Sequence, residues 1–235
     1  MTIETAILLA AGEGSRLRPA APFKPLCPVA GRPLIQHALQ GLAAAGLSRA
    51  IVVLGYGADE IEAYLRSGHW PIFVEMVRVE DYRKPNGSSL LAAEPLLKRG
   101  EETLLAMCDH LVDPTLYRRL AHAGTGYGAR LGIDRRLGHP WVDPEDVTCV
   151  ATDGDAIMAI GKGLEPHDCY DTGVFAIGQP LFDALHMLDA PSLTEGMRIL
   201  AAQGRAQVMD CSDLDWIDVD DAPALAKAEA WLANR

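Results

Sequence analysis

Thr5-Ala6-Ile7-Leu8-Leu9-Ala10-Ala11-Gly12-Glu13-Gly14-Ser15-Arg16-Leu17 is the stretch on which the reading of this chain turns. Its first part, Thr5–Leu9, is an apolar run of strand length, and a loop of small residues follows at once. Ala10, Ala11, Gly12 and Gly14 let backbone N–H groups approach a triphosphate closely, because bulky side chains are missing there. Leu17 stands where a dinucleotide fingerprint needs its third glycine, and no Gly-Lys-Ser/Thr follows to make a P-loop. The loop brings two cations: Arg16, a planar fork matched to phosphate oxygens, and Lys24 of Phe23-Lys24-Pro25-Leu26, a point charge.

Working outward, strand-like runs alternate with helix-length segments. The pattern predicts strands at Ala50–Leu54, Ile72–Val79 and Thr103–Met107, and helices at Pro33–Ala45, Ala58–Ser67, Ser88–Lys98 and Pro114–Ala123. In the helix from Pro33, Leu34, Ala38, Leu42 and Ala45 recur on one face. After Ala129 the β-like pieces shorten: Ala129–Ile133, Val147–Ala151, Ala156–Ile160 and Asp171–Ala176, separated by Gly, Pro and Asp, suit antiparallel additions. Helices at Gln179–Leu188, Ser192–Gln203 and Ala222–Ala233 and strands at Ala206–Asp210 and Trp216–Val219 complete the chain. The expectation is one α/β domain over residues 1–235, with a mixed, mostly parallel sheet flanked by helices. Ligands of such sheets gather beyond the strands' carboxyl ends, which selects Ala10–Lys24, Asn86–Ser88, Asp109–His110 and Asp218.

A formal net charge of -11 over 235 residues opposes a polyphosphate partner, so nucleic acid is not expected. Small anionic substrates face the same field, so a phosphate site needs local cations and a metal. The apolar run Ala6–Ala11 is far shorter than the roughly 20 residues that span a bilayer, so membrane insertion is not expected and a cytoplasmic location is. Five scattered cysteines without C-x-x-C spacing read as reduced thiols.

Two apolar segments end in carboxylates: Leu104-Leu105-Ala106-Met107-Cys108-Asp109-His110 and Trp216-Ile217-Asp218-Val219-Asp220. Magnesium takes one or two carboxylates plus phosphate oxygens and water, which two such aspartates satisfy. Asp109 also reads as an N-cap before Pro114, and for Asp220 capping is the preferred reading. His110 reads equally as a hydrogen bonder behind the site or as a packed ring. Asn86-Gly87-Ser88-Ser89 opens a helix, with Ser88 or Ser89 as expected cap and Asn86 and Gly87 suited to a base edge. Lys162 can neutralise a phosphate monoester, and Asp171 of Asp171-Thr172-Gly173 can accept from hydroxyls.

The pattern L-A-A-G-x-G-S-R-L followed by K-P-L resembles the signature of nucleotidyltransferases that activate sugar phosphates and other alcohol phosphates. Adding N-G-x-S-L-L, D-H, I-G-K-x-L, D-C-x-D-T-G and W-x-D-V-D, the chain is most similar to the CTP:inositol-1-phosphate cytidylyltransferases, from Ala6 to about Ala230. The resemblance implies a Rossmann-like nucleotidyltransferase fold and transfer of CMP from CTP to inositol 1-phosphate. Asp109 and Asp218 then hold Mg²⁺, and Cys108 departs from the family's usual glycine. Arg16, Lys24 and Lys162 are the implied catalytic cations. The glycine loop with Asn86, Gly87 and Ser88 binds nucleotide, and Lys162 with Asp171 binds the acceptor. Sugar 1-phosphates, phosphocholine and phosphonates are the alternative acceptors. A catalytically silent nucleotide-binding subunit is the alternative of another class, and a homodimer is compatible with either reading.

Overall fold

The computed structural model describes residues 2–234. The chain opens with β1 (Thr5–Ala10), a short ribbon of β2 (Pro28–Val29) and β3 (Arg32–Pro33), and α1 (Leu34–Ala44). Then come β4 (Arg49–Leu54), α2 (Ala58–Ser67), β5 (Phe73–Arg78), α3 (Asn86–Ala93) and β6 (Thr103–Met107). The second half runs β7 (His110–Val112), α4 (Pro114–Ala123), β8 (Ala129–Asp134), β9 (Thr148–Asp153), β10 (Ala156–Lys162) and β11 (Cys169–Ile177). It closes with α5 (Gln179–His186), α6 (Leu193–Ala202), β12 (Ala206–Asp210), β13 (Trp216–Asp218) and α7 (Ala222–Ala233).

Among the described residues, nine strands form one sheet in the order β5-β4-β1-β6-β11-β8-β12-β10-β9. The block β5-β4-β1-β6 is wholly parallel, and β12 runs parallel to β8. β11 enters antiparallel to both β6 and β8, so the sheet is mixed as expected, with parallel pairing concentrated in its first half. Because Val174 pairs with Ala106, the first residues of β11 lie beyond the carboxyl end of β6. Asp171 and Gly173 are thereby brought to the edge where β1 ends in the glycine loop.

β1 is buried on both faces, and its alternation separates two cores. Ala6, Leu8 and Ala10 pack with α1, α2 and α4, while Ile7, Leu9 and Ala11 pack with α3, α5 and α6. All five cysteines are free and buried. No helix among the described residues is long and apolar enough to cross a membrane.

Several local expectations are corrected. The helix expected over Ser88–Lys98 starts at Asn86 and ends at Ala93, where Pro95 turns the chain into a 3-10 turn at Glu94–Leu96. Ser88 and Ser89 do not cap it; the cap position is Pro85. The cap before Pro114 is Asp113, which accepts from the Thr115 N–H at 2.8 Å, so Asp109 is released from that duty. Asp221, not Asp220, caps α7, accepting from the Ala224 N–H at 2.8 Å.

Candidate active site

The register of one small ribbon builds the floor of the site. β13 pairs antiparallel with β7, setting Asp218 opposite His110 and Trp216 opposite Val112. The Val219 N–H donates to the Asp109 carbonyl at 3.0 Å, so two carboxylates 109 positions apart in sequence become neighbours. Lys24 rises between them from the 3-10 turn Lys24–Leu26 and is only 7% exposed. Its Nζ lies 2.6 Å from Asp109 Oδ2 and 3.9 Å from Asp218 Oδ1, and it is bonded to Asp220. Burial opposes the lysine's charge, but Asp109 and then Asp218 outweigh it and hold the ammonium above its ordinary value. Asp109 is likewise held below the usual carboxylate range: burial opposes this, and Lys24 and His110 prevail. Gly14, at φ +56°, is required here because a Cβ would collide with the lysine stem.

Asp220 therefore belongs to the site. It joins Lys24 and also Arg16, whose guanidinium is 2.5 Å away. Arg16 and Lys162 both reach Asp146, a carboxylate that sequence reasoning missed. It lies in a loop before β9 with no motif around it; its only signal was the chemistry of the cations that meet it.

Arg16, Lys162, Asp146, Asp109, Asp218 and Asp220 line a cleft of about 560 Å³, within the range of small-molecule sites. Asp171 opens into the same cleft, and its Oδ1 accepts from the Gly173 N–H at 2.7 Å. Burial raises its carboxyl to about 6, against the opposing effects of that bond and of His110.

A second hollow of about 260 Å³ adjoins the cleft and shares Arg16, Asp109 and Asp220 with it. Ala10, Gly12 and Gly14 line it. A Cβ on Gly12 would meet nothing within 4 Å, so no protein contact demands glycine there. Ala11 turns inward instead, 4% exposed, with its carbonyl accepting from the Tyr56 N–H. Asn86 lines the main cleft, but its Oδ1 accepts from the Leu193 N–H at 2.9 Å. Gly87 is buried, and a Cβ there would stand 2.7 Å from the Pro191 carbonyl oxygen. Ser88 is half-buried behind it.

His110 stands behind the carboxylates. Its Nδ1 donates to the Thr172 carbonyl at 2.8 Å, and its ring stacks on Trp216 at 6.0 Å and 15°. Nε2 lies 3.4 Å from Asp218 Oδ2 and 4.0 Å from Asp109 Oδ1. Burial lowers the ring's proton affinity, but Asp218, then Asp109 and the Thr172 carbonyl, raise it to about 9.

The donors fit a divalent cation. Asp109 and Asp218 offer oxygens within 4.8 Å of each other, and Asp146, Asp218 and Asp220 do the same among themselves. Among the described residues Asp218 Oδ1 is buried without a hydrogen-bond partner, an unusual state for a carboxylate oxygen and one a cation would resolve.

Against this geometry, the family model of the MobA-like NTP transferase domain matches residues 6–209. The chain belongs to the MobA-like NTP transferase family. Within it, 97% of the chain is 31% identical to 53% of a Rubrobacter xylanophilus protein named bifunctional IPC transferase and DIPP synthase. An Aquifex aeolicus protein of the same name is 28% identical over 99% of the chain and 52% of its own length. The chain thus spans about half the length of these relatives. The solved inositol-1-phosphate CTP transferase from T. maritima has the same fold, with a TM-score of 0.89 and 22% identity over 99% of this chain and 96% of that one.

Proposed function

We propose that this transferase moves a nucleotidyl group, CMP from CTP, onto a small phosphorylated alcohol, inositol 1-phosphate, and releases pyrophosphate with the help of Mg²⁺. The observation that carries the reading is the position of Lys24, Asp109, Asp218 and Asp220 where the glycine-loop hollow meets the main cleft. The names of the relatives support the choice of CTP and inositol phosphate. The nucleotide phosphates lie along Ala10, Gly12 and Gly14, and the acceptor lies towards Lys162 and Asp171. The attacking phosphate oxygen is already an anion, so no side chain needs to remove a proton. What the residues supply is position and charge. Arg16 and Lys24 stabilise the charge that grows on departing pyrophosphate, Lys162 anchors the incoming phosphate, and Asp171 accepts from an acceptor hydroxyl. When bound to Asp109 and Asp218, magnesium supplies neutralisation of the phosphate charge and a common point of orientation for the two substrates.

The test is a matrix of nucleoside triphosphates against inositol 1-phosphate, glucose 1-phosphate, phosphocholine and 2-aminoethylphosphonate, read by pyrophosphate release. CTP with inositol 1-phosphate is expected to exceed every other pair by orders of magnitude, since a site that bonds specific hydroxyls rejects analogues lacking them. Asp109→Ala and Asp218→Ala are each expected to lower turnover more than about tenfold, a loss above 1.4 kcal/mol. Rates near wild type in either variant place the metal elsewhere; a hexose phosphate or phosphocholine as best acceptor removes the inositol assignment alone.

A further inference from the structure

The D-T-G element leaves one structural requirement unexplained by substrate binding. Gly173 adopts φ +78°, and a Cβ on it would collide with the His110 ring. A left-handed glycine is thus spent on admitting an imidazole. The ring is then held at Nδ1 by Thr172 O and faced by the parallel aromatic ring of Trp216. Trp216 is itself anchored, its Nε1 donating at 2.8 Å to Asp134 Oδ2, a fully buried carboxylate that also receives the Arg136 guanidinium. The one ring atom left over, Nε2, points at the two carboxylates of the floor, nearest Asp218 Oδ2 at 3.4 Å.

We infer that His110 is a positioning residue: by engaging Asp218 Oδ2 from a seat made by Thr172, Gly173 and Trp216, it turns Oδ1 towards the metal. The two oxygens of Asp218 are already in different states. Oδ2 faces the imidazole, and Oδ1 is buried with no hydrogen bond. A carboxylate on a short ribbon rotates freely about its terminal torsion unless one oxygen is held. Partners of this kind behind a metal ligand affect metal affinity by roughly 10- to 100-fold. The inference rests on the proposed metal site.

The full chain is titrated with Mn²⁺ by calorimetry, with melting temperature recorded in the absence of metal. His110→Gln places an amide nitrogen near the position of Nε2, whereas His110→Asn places one near Nδ1 and leaves nothing facing Asp218. His110→Asn is expected to weaken Mn²⁺ about 10- to 100-fold, and His110→Gln to stay within about threefold of wild type. Equal Mn²⁺ affinities for the two variants, whether unchanged or equally weakened, overturn the inference and leave His110 a packing residue. Metal-free melting separates either result from unfolding. Asp218→Ala distinguishes the two levels: if it binds Mn²⁺ as wild type does, the metal site itself fails and the inference falls with it. Loss of binding in Asp218→Ala beside wild-type binding in His110→Asn removes the inference alone.

Discussion

Asp171 sits where β11 enters the cleft, half-buried, with the Gly173 N–H as the one hydrogen bond to its carboxylate among the described residues. Its carboxyl titrates at about 6 in the fold, against 3.8 for an ordinary aspartate. Between those values the folded chain keeps a proton that the unfolded chain has lost, so this group favours the fold at low pH. That contribution fades as pH rises through about 6. The full difference is on the order of 3 kcal/mol, an upper bound. Asp171→Asn keeps an oxygen for Gly173 and carries no charge. It is therefore expected to gain melting temperature relative to wild type at pH 7.5 and to lose that advantage at pH 4; a constant offset between two thermal melts at those values would refute the shift. The same replacement is expected to raise the acceptor KM, since one hydroxyl acceptor is weakened. Residues of this kind were visible in the sequence because they sit in a short motif. Asp146 was not, and Asp220 was set aside because adjacent aspartates before a helix do not reveal which one caps it.

Glycines of two kinds distinguish what the fold needs from what a ligand needs. Gly87 lies against the Pro191 carbonyl, the contact that seats α3 beside the segment leading into α6, and Asn86 ties the same junction through the Leu193 N–H. A methyl group at Gly87 has no room unless backbone shifts, so Gly87→Ala is expected to destabilise the protein by about 1–3 kcal/mol. Gly12→Ala meets open space and is expected to leave the melting temperature within a degree or two while raising the KM for the nucleotide. Melting curves beside nucleotide titrations check both; a stability loss at Gly12 would remove its glycine from the ligand's account. The longer elements were readable from an unbroken apolar run, as in β1, or from apolar residues recurring on one face, as in α1. The ribbon β2–β3 and the strand β7 were not, since strands of two or three residues carry no period; β13 was read as a strand, but not its pairing with β7, which brings Asp109 and Asp218 together.

The whole molecule is a parallel half that ends in the glycine loop, joined at β6 and β11 to a half that supplies Asp171 and Lys162. Alternating segments made the parallel half legible. The antiparallel entry of β11 is a long-range pairing and left only shorter runs and more frequent turn residues in the sequence. With a net charge of -11, such a molecule would meet triphosphates through a repulsive field, and its cleft gathers carboxylates where the proposed function puts them. Lys24 offsets that excess: its ammonium stands among Asp220 and the two aspartates, Asp109 and Asp218, that a divalent ion would claim. On the proposed metal site, loading would be an ion exchange, in which the metal displaces the Lys24 ammonium from the carboxylates. Lys24→Ala is expected to melt lower without metal, because three carboxylates lose their partner, and yet to bind Mn²⁺ more tightly than wild type while turning over slowly. Weaker Mn²⁺ binding in a calorimetric titration would show that the lysine does not compete. The displaced ammonium would stand beside the glycine-loop hollow, where the proposed function puts the nucleotide phosphates. Metal and nucleotide would then each promote the other's arrival, by the same factor in both directions.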